Sequence, residues 1–588
     1  MKNQRKIKYN NISNLLIISV ILVLLNVLSN YVFFRLDLTA EKRYTLSDVT
    51  KDYLKNLDDI VFFKVYLDDD DLPPGFKRLR NSLKEMLDEF IVYGGENIQY
   101  EFINPNESKD EKKRKDIYKE LYKRGLKPVT LHEQSNEGKS SQKIIFPGVL
   151  ISYRDRELPL DLLSNNPLKT PEENLNNSVS ELEYRLLNTI NKLRIEYIPT
   201  IGFTTDHGEL SNRNTYSLKK ALSEFYNVKN VKIEENLTSL SERKQIDSSR
   251  VGIRNKFELL VIAKPTKPYS EKTKFILDQY LMHGGKIIWL IDGTNASMDS
   301  LAHKSFTMAL ANSINLDDML FNYGCRVNPD LIQDINCAKI PARSAYAQAG
   351  APQFVPFDWV YFPLLQANQK HPIGKNLDFI FSNFASSIDT VHPEPKVKKT
   401  VILSSSKYSK KLMVPIRVSL DILNIKPDKA FFNNPNLITG LLMEGEFRSN
   451  FANRIPEEIK NSPEIDFRET SKKTSMAVLS DGDIAYNPVK VTDGRAIPFP
   501  TGYDKYSGYA YANPDFILNL VNYMLDDSGI MYLRNREVKL RLLDKNKVKE
   551  QGLMWQIINT AVPVILIIIF GILASFIRKR KYTVKQNV

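Results

Sequence analysis

The chain has 588 residues, 42% of them hydrophobic and 26% charged, too long for one core and apolar enough for several. Its formal charge of +13 is concentrated in two short acid-free tails, one with Lys2, Arg5, Lys6 and Lys8, the other with Arg578, Lys579, Arg580, Lys581 and Lys585. Only about +4 is left for everything between, which argues against a nucleic-acid surface, and no nucleic-acid partner is expected.

Residues 1–14 form the first basic tail. Residues 15–34, LLIISVILVLLNVLSNYVFF, carry no charge, and about 20 residues at a rise of about 1.5 Å span a hydrocarbon layer of ~30 Å. They read as a first transmembrane helix; the rival reading, a cleaved signal peptide, lacks a small-x-small site. Residues 35–165 read as an N-terminal α/β domain. DIVFFKVYL is a buried strand, and the helix after it lines up Phe76, Leu79, Leu83, Met86, Leu87 and Phe90 on one stripe. ENIQYEFINP is the next strand, a charged helix ends at Gly125, and KPVTLHEQ and QKIIFPGVLISYRDRELPL supply further strands. The β-α-β-α-β-β order predicts a thioredoxin-like topology without redox cysteines. Residues 166–195 read as a linker and a connecting helix, with Val179, Leu182, Leu186, Leu187, Ile190 and Leu193 on its apolar stripe.

Residues 196–530 alternate strands and helices, with YIPTIGF, FELLVIAKP and KIIWLIDGT as near-continuous apolar strands. That pattern predicts a larger α/β domain with a doubly wound parallel sheet buried on both faces. TVILSSS, LITGLLMEGEF and SMAVLSDGDIAYN are expected to extend the sheet, and NPDFILNLVNYMLDD to close it as a helix. The stretch from about 325 to 400, rich in Pro, Asn and aromatics, reads as a long excursion with little regular structure. Residues 531–556 are a membrane-proximal connector, 557–577 a second uncharged transmembrane helix, and 578–588 the second basic tail. Pro563 lies near the start of that helix, where neighbours can satisfy the freed carbonyl. Positive flanks stay in the cytoplasm. The expectation is a two-pass inner-membrane protein with both termini cytoplasmic and its bulk periplasmic.

Cys325 and Cys337 are the two cysteines, and no CxxC is present. In an oxidising compartment they could form a disulfide across a short loop, or remain two free thiols. Enzyme signatures fail one by one. GKS at 138–140 has Glu133 where a P-loop needs glycine, and HEQSN at 132–136 has Asn136 where a metalloprotease helix needs histidine. There is no G-x-S-x-G or G-x-C-x-G elbow, and SSS at 404–406 lacks the elbow glycines. No catalytic residue, metal site or cofactor is therefore assigned. The strand ends are richer. TTDHGE presents Asp206, His207 and Glu209; AKPT follows the next strand; IDGT presents Asp292; SDGD presents Asp481 and Asp483. Open parallel sheets bind ligands beyond such ends, and these residues are expected to line one acidic crevice. It could serve as a cation site, a sugar pocket or a protein-docking groove; equally, Asp and Gly are the turn-formers that strand ends require.

Six segments in order, LDLTAEKRYTLS, YGCRVNPDLIQDINCAKIP, HPIGKNLDFIFSNFASSIDTV, LMEGEFRSNF, VLSDGDIAYNP and YANPDFILNLVNYMLDDSGIMYLRNREVKLRLLDK, carry a resemblance across almost the full length. The chain resembles the GldG family, gliding-associated ABC-transporter components of Bacteroidetes. The resemblance implies that the larger domain is similar to a glutamine amidotransferase that keeps His207-Gly208-Glu209 after its first strand but lacks the elbow cysteine. It further implies a non-catalytic subunit working with a separate ATPase and a separate permease. Such a subunit is usually labelled substrate-binding and is linked to gliding, with a periplasmic or cell-wall partner.

Overall fold

Val61, Phe63 and Val65 are fully buried while Phe62 and Lys64 are half-exposed, the two-residue period of a strand with one face on a core. The computed structural model describes residues 13, 15–24, 45–69, 71–134, 140–163, 170–195, 197–247, 250–301, 304, 306–343, 354–391, 396–492, 494–526, 528–535 and 545–583. The expected basic tail at 1–12, residues 25–34 of the first apolar segment, and Lys585 lie outside them; within that segment a helix covers Leu15–Leu24.

The first sheet contains β1 (Val61–Val65), β2 (Ile98–Phe102), β3 (Gly148–Tyr153) and β4 (Arg156–Asp161), in the order β2-β1-β3-β4. β2 runs parallel to β1; β3 is antiparallel to both β1 and β4. Between β1 and β2 lies α1 (Pro74–Gly94), with proline in the first turn, where its missing N–H costs nothing. Its stripe of Phe76, Leu79, Leu83, Leu87 and Phe90 is buried against the sheet, as the spacing predicts. A helix (Glu111–Lys123) and a hairpin (Val129–Gln134 with Ser140–Ile145) precede β3.

The connecting helix, α2 (Leu182–Arg194), is more than a linker. Leu182, Leu186, Ile190 and Leu193 enter the core of the first domain, while Tyr184 and Leu187 enter the core of the second. One helix is thus a wall of both cores.

The second sheet is built from β5 (Thr200–Thr204), β6 (Asn227–Val231), β7 (Leu259–Ala263), β8 (Lys286–Leu290), β9 (Cys337–Arg343), β10 (Phe354–Ala367), β11 (Val397–Ser404), β12 (Ile438–Gly445) and β13 (Thr474–Leu479). They lie in the order β9-β10-β11-β12-β13-β8-β7-β5-β6, with the short strand Ile380–Phe381 beside β10. β13, β8, β7, β5 and β6 are parallel, and the fully buried runs of β5 and β7 match the apolar pattern of the sequence. From β13 to β9 every pairing is antiparallel.

The predicted parallel sheet is therefore corrected to a mixed one. Parallel neighbours need a crossover, usually helical. The segments 405–437 and 446–473 contain no α-helix beyond the four-residue Glu457–Lys460, so β11, β12 and β13 turn back on one another instead. The expected excursion at 325–400 is also corrected, since β9 and the 14-residue β10 lie within it. Prolines disguised them: Pro341 and Pro356 face each other at the sheet edge, and Pro363 lies opposite Cys337 by a register shift, places where a missing N–H is tolerated.

α3 (Tyr216–Ser223), α4 (Glu271–Met282) and α5 (Asn513–Leu525) cover the faces of this sheet; α5 buries Phe516, Ile517, Leu520, Val521 and Met524. The suggested disulfide is absent. Both cysteines are free, because Cys325 lies opposite Thr390 in a separate strand pair and Cys337 starts β9. Burial pushes each thiol up to about 12, which leaves them inert.

Residues 537–588 form a second unit, in which α6 (Lys545–Thr583) is described. Its stretch Glu550–Arg580 contains an 18-residue window of mean hydropathy 2.7, and among the described residues it is the one helix long and apolar enough to cross a membrane. Ile565, Leu566, Ile567 and Phe570 are exposed along it.

Candidate functional site

β5 ends at Thr204, and the chain immediately turns at Asp206. Asp206 Oδ2 accepts the backbone N–H groups of Ile233 (2.8 Å) and Glu234 (3.3 Å), tying this loop to the segment beyond β6. Asp206 Oδ1 lies 3.1 Å from His207 Nδ1. Burial works against ionising Asp206, but the His207 contact and the two amides outweigh it and hold the carboxyl below its usual range. The His207 ring lies flat on Tyr269, centroids 4.0 Å apart and planes 2° from parallel. The His207 N–H donates to Glu209 Oε2 at 2.7 Å.

Gly208 has φ 73°, and a Cβ there would collide with Thr266 Oγ1, so glycine is required on two counts. Thr266 and Lys267 donate their N–H groups to the His207 carbonyl (2.9 and 3.0 Å), Thr266 Oγ1 donates to the Gly208 carbonyl, and Leu210 donates to the Ala263 carbonyl. The loop is thereby clasped onto the end of β7. This position matters because the chain leaves β5 outward to β6 and then returns to β7 on the other side of β5. The crevice between β5 and β7 is the topological switch point, where open α/β sheets take their ligands. Here the protein's own loop lies across it.

A second cluster sits further along the same edge. Lys264 follows β7 with φ 58°, in the left-handed region that side chains seldom adopt. Its ammonium lies 2.6 Å from Asp483 Oδ2 and 3.2 Å from Asp292 Oδ2. Asp292 Oδ1 accepts the Gly482 N–H at 2.6 Å. Asp481 Oδ1 accepts the Asp483 N–H at 2.7 Å, capping the turn Gly482–Ala485, and its Oδ2 accepts the Asn383 N–H at 2.6 Å. Burial opposes the charge on Lys264, yet Asp483, Asp292 and Asp481 outweigh it and hold the amine above the usual lysine range. Burial raises Asp292, and it raises Asp481 further, with Asp483 and Asp292 adding to the effect.

Lys264, Asp292 and Asp483 line a cavity of about 520 Å³. Phe362, Phe381, Phe384, Tyr486, Tyr503 and Tyr506 supply apolar wall, and Asn383 contributes an Oδ1 that is buried without a hydrogen-bond partner among the described residues. The single acidic crevice expected from the strand ends is thus corrected to two clusters. Asp206, His207 and Glu209 stay together in the switch-point loop, whereas Asp292 and Asp483 face the cavity and Asp481 is buried at 1% exposure. Lys264 divides the charge, and it was missed although AKPT was recognised as a strand end. The signal lay in the sequence: Lys264 is the one lysine in the four strand-end motifs TTDHGE, AKPT, IDGT and SDGD.

Fold and site together define a mixed α/β protein with a polar cavity at the carboxyl ends of its strands and, among the described residues, one helix fit to cross a membrane. A family model described as an ABC-type uncharacterized transport system matches residues 198–520, more than half of the chain, and the chain belongs to that family. It is an auxiliary component of an ABC-type transport system, with transporter subunits as partners. A model for a domain of unknown function matches residues 40–152. An uncharacterized protein of Borreliella burgdorferi is 20% identical over 595 residues, which covers 99% of this chain and 100% of that one. Among solved structures, the mmIFT52 N-terminal domain is similar at 14% identity and a TM-score of 0.30, covering 56% of this chain and 98% of that one.

Proposed function

We propose that the chain is a non-catalytic, twice-anchored subunit that couples a separate ATPase and permease to a periplasmic partner. The observation that carries this reading is the family match over residues 198–520 in a chain that also has an exposed apolar helix of membrane-spanning length. The strand-end chemistry supports it. Ser405 and Ser406, the two serines just beyond the end of β11, are held in structural hydrogen bonds: Ser406 Oγ donates to Asp334 at 2.6 Å and Ser405 Oγ pairs with Ser409 at 2.7 Å. The first apolar segment serves as the second anchor, and both ends face the cytoplasm. The thioredoxin-like reading of the first domain rests on its β-α-β-α-β-β order, and the amidotransferase-like reading of the second, with the link to gliding, rests on the resemblance of the sequence. A tagged chain purified in mild detergent is expected to bring an ATPase and a permease with it; recovery of a lone monomer counts against the reading.

A second reading is favoured by the cavity. A glycan or peptide fragment of the cell wall would stack on its aromatic wall and donate to Asn383 Oδ1, while Lys264 and Asp483 fix its polar groups. The crevice first expected at His207 moves, on this reading, to the neighbouring cavity. Thermal-shift screening with cell-wall fragments is expected to find a stabilising ligand whose effect is lost in Asn383→Ala. A shift that survives both Asn383→Ala and Tyr503→Ala excludes this cavity.

A further inference from the structure

The switch-point loop and the aromatic ring stacked on it hold two buried polar atoms that the surrounding hydrogen bonds leave unanswered. Glu209 uses Oε2 to accept the His207 N–H, but its Oε1 is buried without a partner among the described residues. The Tyr269 hydroxyl is in the same condition, on a side chain only 1% exposed that is stacked against His207. Leaving such atoms unsatisfied costs about 1–3 kcal/mol each, and two on residues that both touch His207 invite a common partner. The Tyr269 ring, stacked on His207 at 4.0 Å, lies against the loop that carries both acids.

The same loop gathers a donor set. One oxygen from Asp206, one from Glu209 and one imidazole nitrogen of His207 lie within 4.8 Å of one another. We propose that Asp206, His207 and Glu209 form a binding site for a divalent transition-metal cation, with zinc the best match. One imidazole and two carboxylates are the mixed N/O set that Zn²⁺ accepts, with the fourth position left to water. Bonds of about 2.0–2.2 Å place ligand atoms roughly 3.4 Å apart, so the donor set contracts around the ion mainly by movement of Glu209, whose Oε1 has no competing bond. Asp206 is already anchored by Ile233 and Glu234, and His207 is oriented by its stack on Tyr269. A coordinated water gives the Tyr269 hydroxyl its missing partner. The ion would pin the loop to its place between β5 and β7, and the site is separate from the Lys264 cavity, whose lining includes none of the three ligands.

The test uses the full-length chain in detergent, stripped with chelator, titrated with ZnCl₂ and analysed for metal after desalting. About one zinc per chain is expected, with a rise in melting temperature on binding. Glu209→Gln keeps an acceptor for the His207 N–H but weakens the ligand, and is expected to lower zinc affinity at least about tenfold; His207→Ala is expected to abolish it. If His207→Ala fails to fold, Glu209→Gln decides alone. No zinc retained by the wild type, or zinc retained equally by Glu209→Gln, overturns the proposal.

Discussion

Gly208 and Asp206 show how tightly single residues fix the switch-point loop. Gly208 is held at φ 73° with Thr266 against the place of a Cβ, so Gly208→Ala is expected to destabilise the chain by about 1–3 kcal/mol. A thermal melt monitored by circular dichroism reads this directly, and an unchanged melting temperature would show that the loop is looser than described. Asp206 has a folded pKa below its unfolded value. Its contribution to stability is therefore present above the unfolded value, near 3.9, and is lost as pH falls through the lower folded value. Asp206→Asn is expected to lower stability at neutral pH and to flatten the acid limb of a pH–stability curve. A parallel acid limb in the variant would assign the loss to other carboxylates. Lys264 acts in the opposite sense, as the cation that lets Asp292, Asp481 and Asp483 share one corner. Lys264→Met is expected to cost about 3 kcal/mol, because it strands buried carboxylates without their counter-charge, and Lys264→Met/Asp483→Asn is expected to recover part of that loss in denaturant titration.

At the scale of elements, α2 decides whether the two α/β domains behave as one. Leu186 packs into the first core and Leu187 into the second, both at 0% exposure. Truncating a buried leucine costs about 2–5 kcal/mol. Because one helix serves both cores, Leu186→Ala and Leu187→Ala are each expected to lower a single cooperative unfolding transition. Two resolved transitions, with only one shifted by each variant, would mean that the domains unfold separately. The helix was legible as amphipathic, but its stripe was read as a single apolar face. Tyr184 and Leu187 were the residues to weigh, since at 3.6 residues per turn they fall to one side of the Leu182–Leu186–Ile190–Leu193 line. Strands β9 and β10 were hidden for a different reason. Proline and asparagine are punctuation in most local contexts, and only the neighbouring strand shows that Pro341 and Pro356 face each other across an edge pair.

For the whole molecule, the prediction concerns its proposed attachment to a membrane. α6 has the length and apolarity to cross one. If the proposed two-pass arrangement holds, a fluorescent-protein fusion after Val588 is expected to be bright, and alkaline phosphatase fused between the two apolar segments is expected to be active. A dark C-terminal fusion would refute the two-pass arrangement with both ends in the cytoplasm. Cys325, being fully buried, is expected to resist maleimide in the folded protein and to react only after denaturation.

Local sequence was sufficient for whatever depends on periodicity and chemistry within one segment. The α1 stripe, the parallel run from β5 to β8, the apolar C-terminal helix and the clustering of Asp206, His207 and Glu209 all follow from hydrophobic spacing or from adjacency in the chain. Tertiary structure decided whatever depends on pairing between distant segments. It turned β9–β12 antiparallel, since strand direction is set by connections and partners rather than by the strand's own residues. It kept the two cysteines apart for the same reason. It also inserted Lys264 among three aspartates that lie 28 to 219 residues away in sequence. Whether a strand end is acidic or balanced is a property of neighbouring strands, and the chain alone does not say which strands are neighbours.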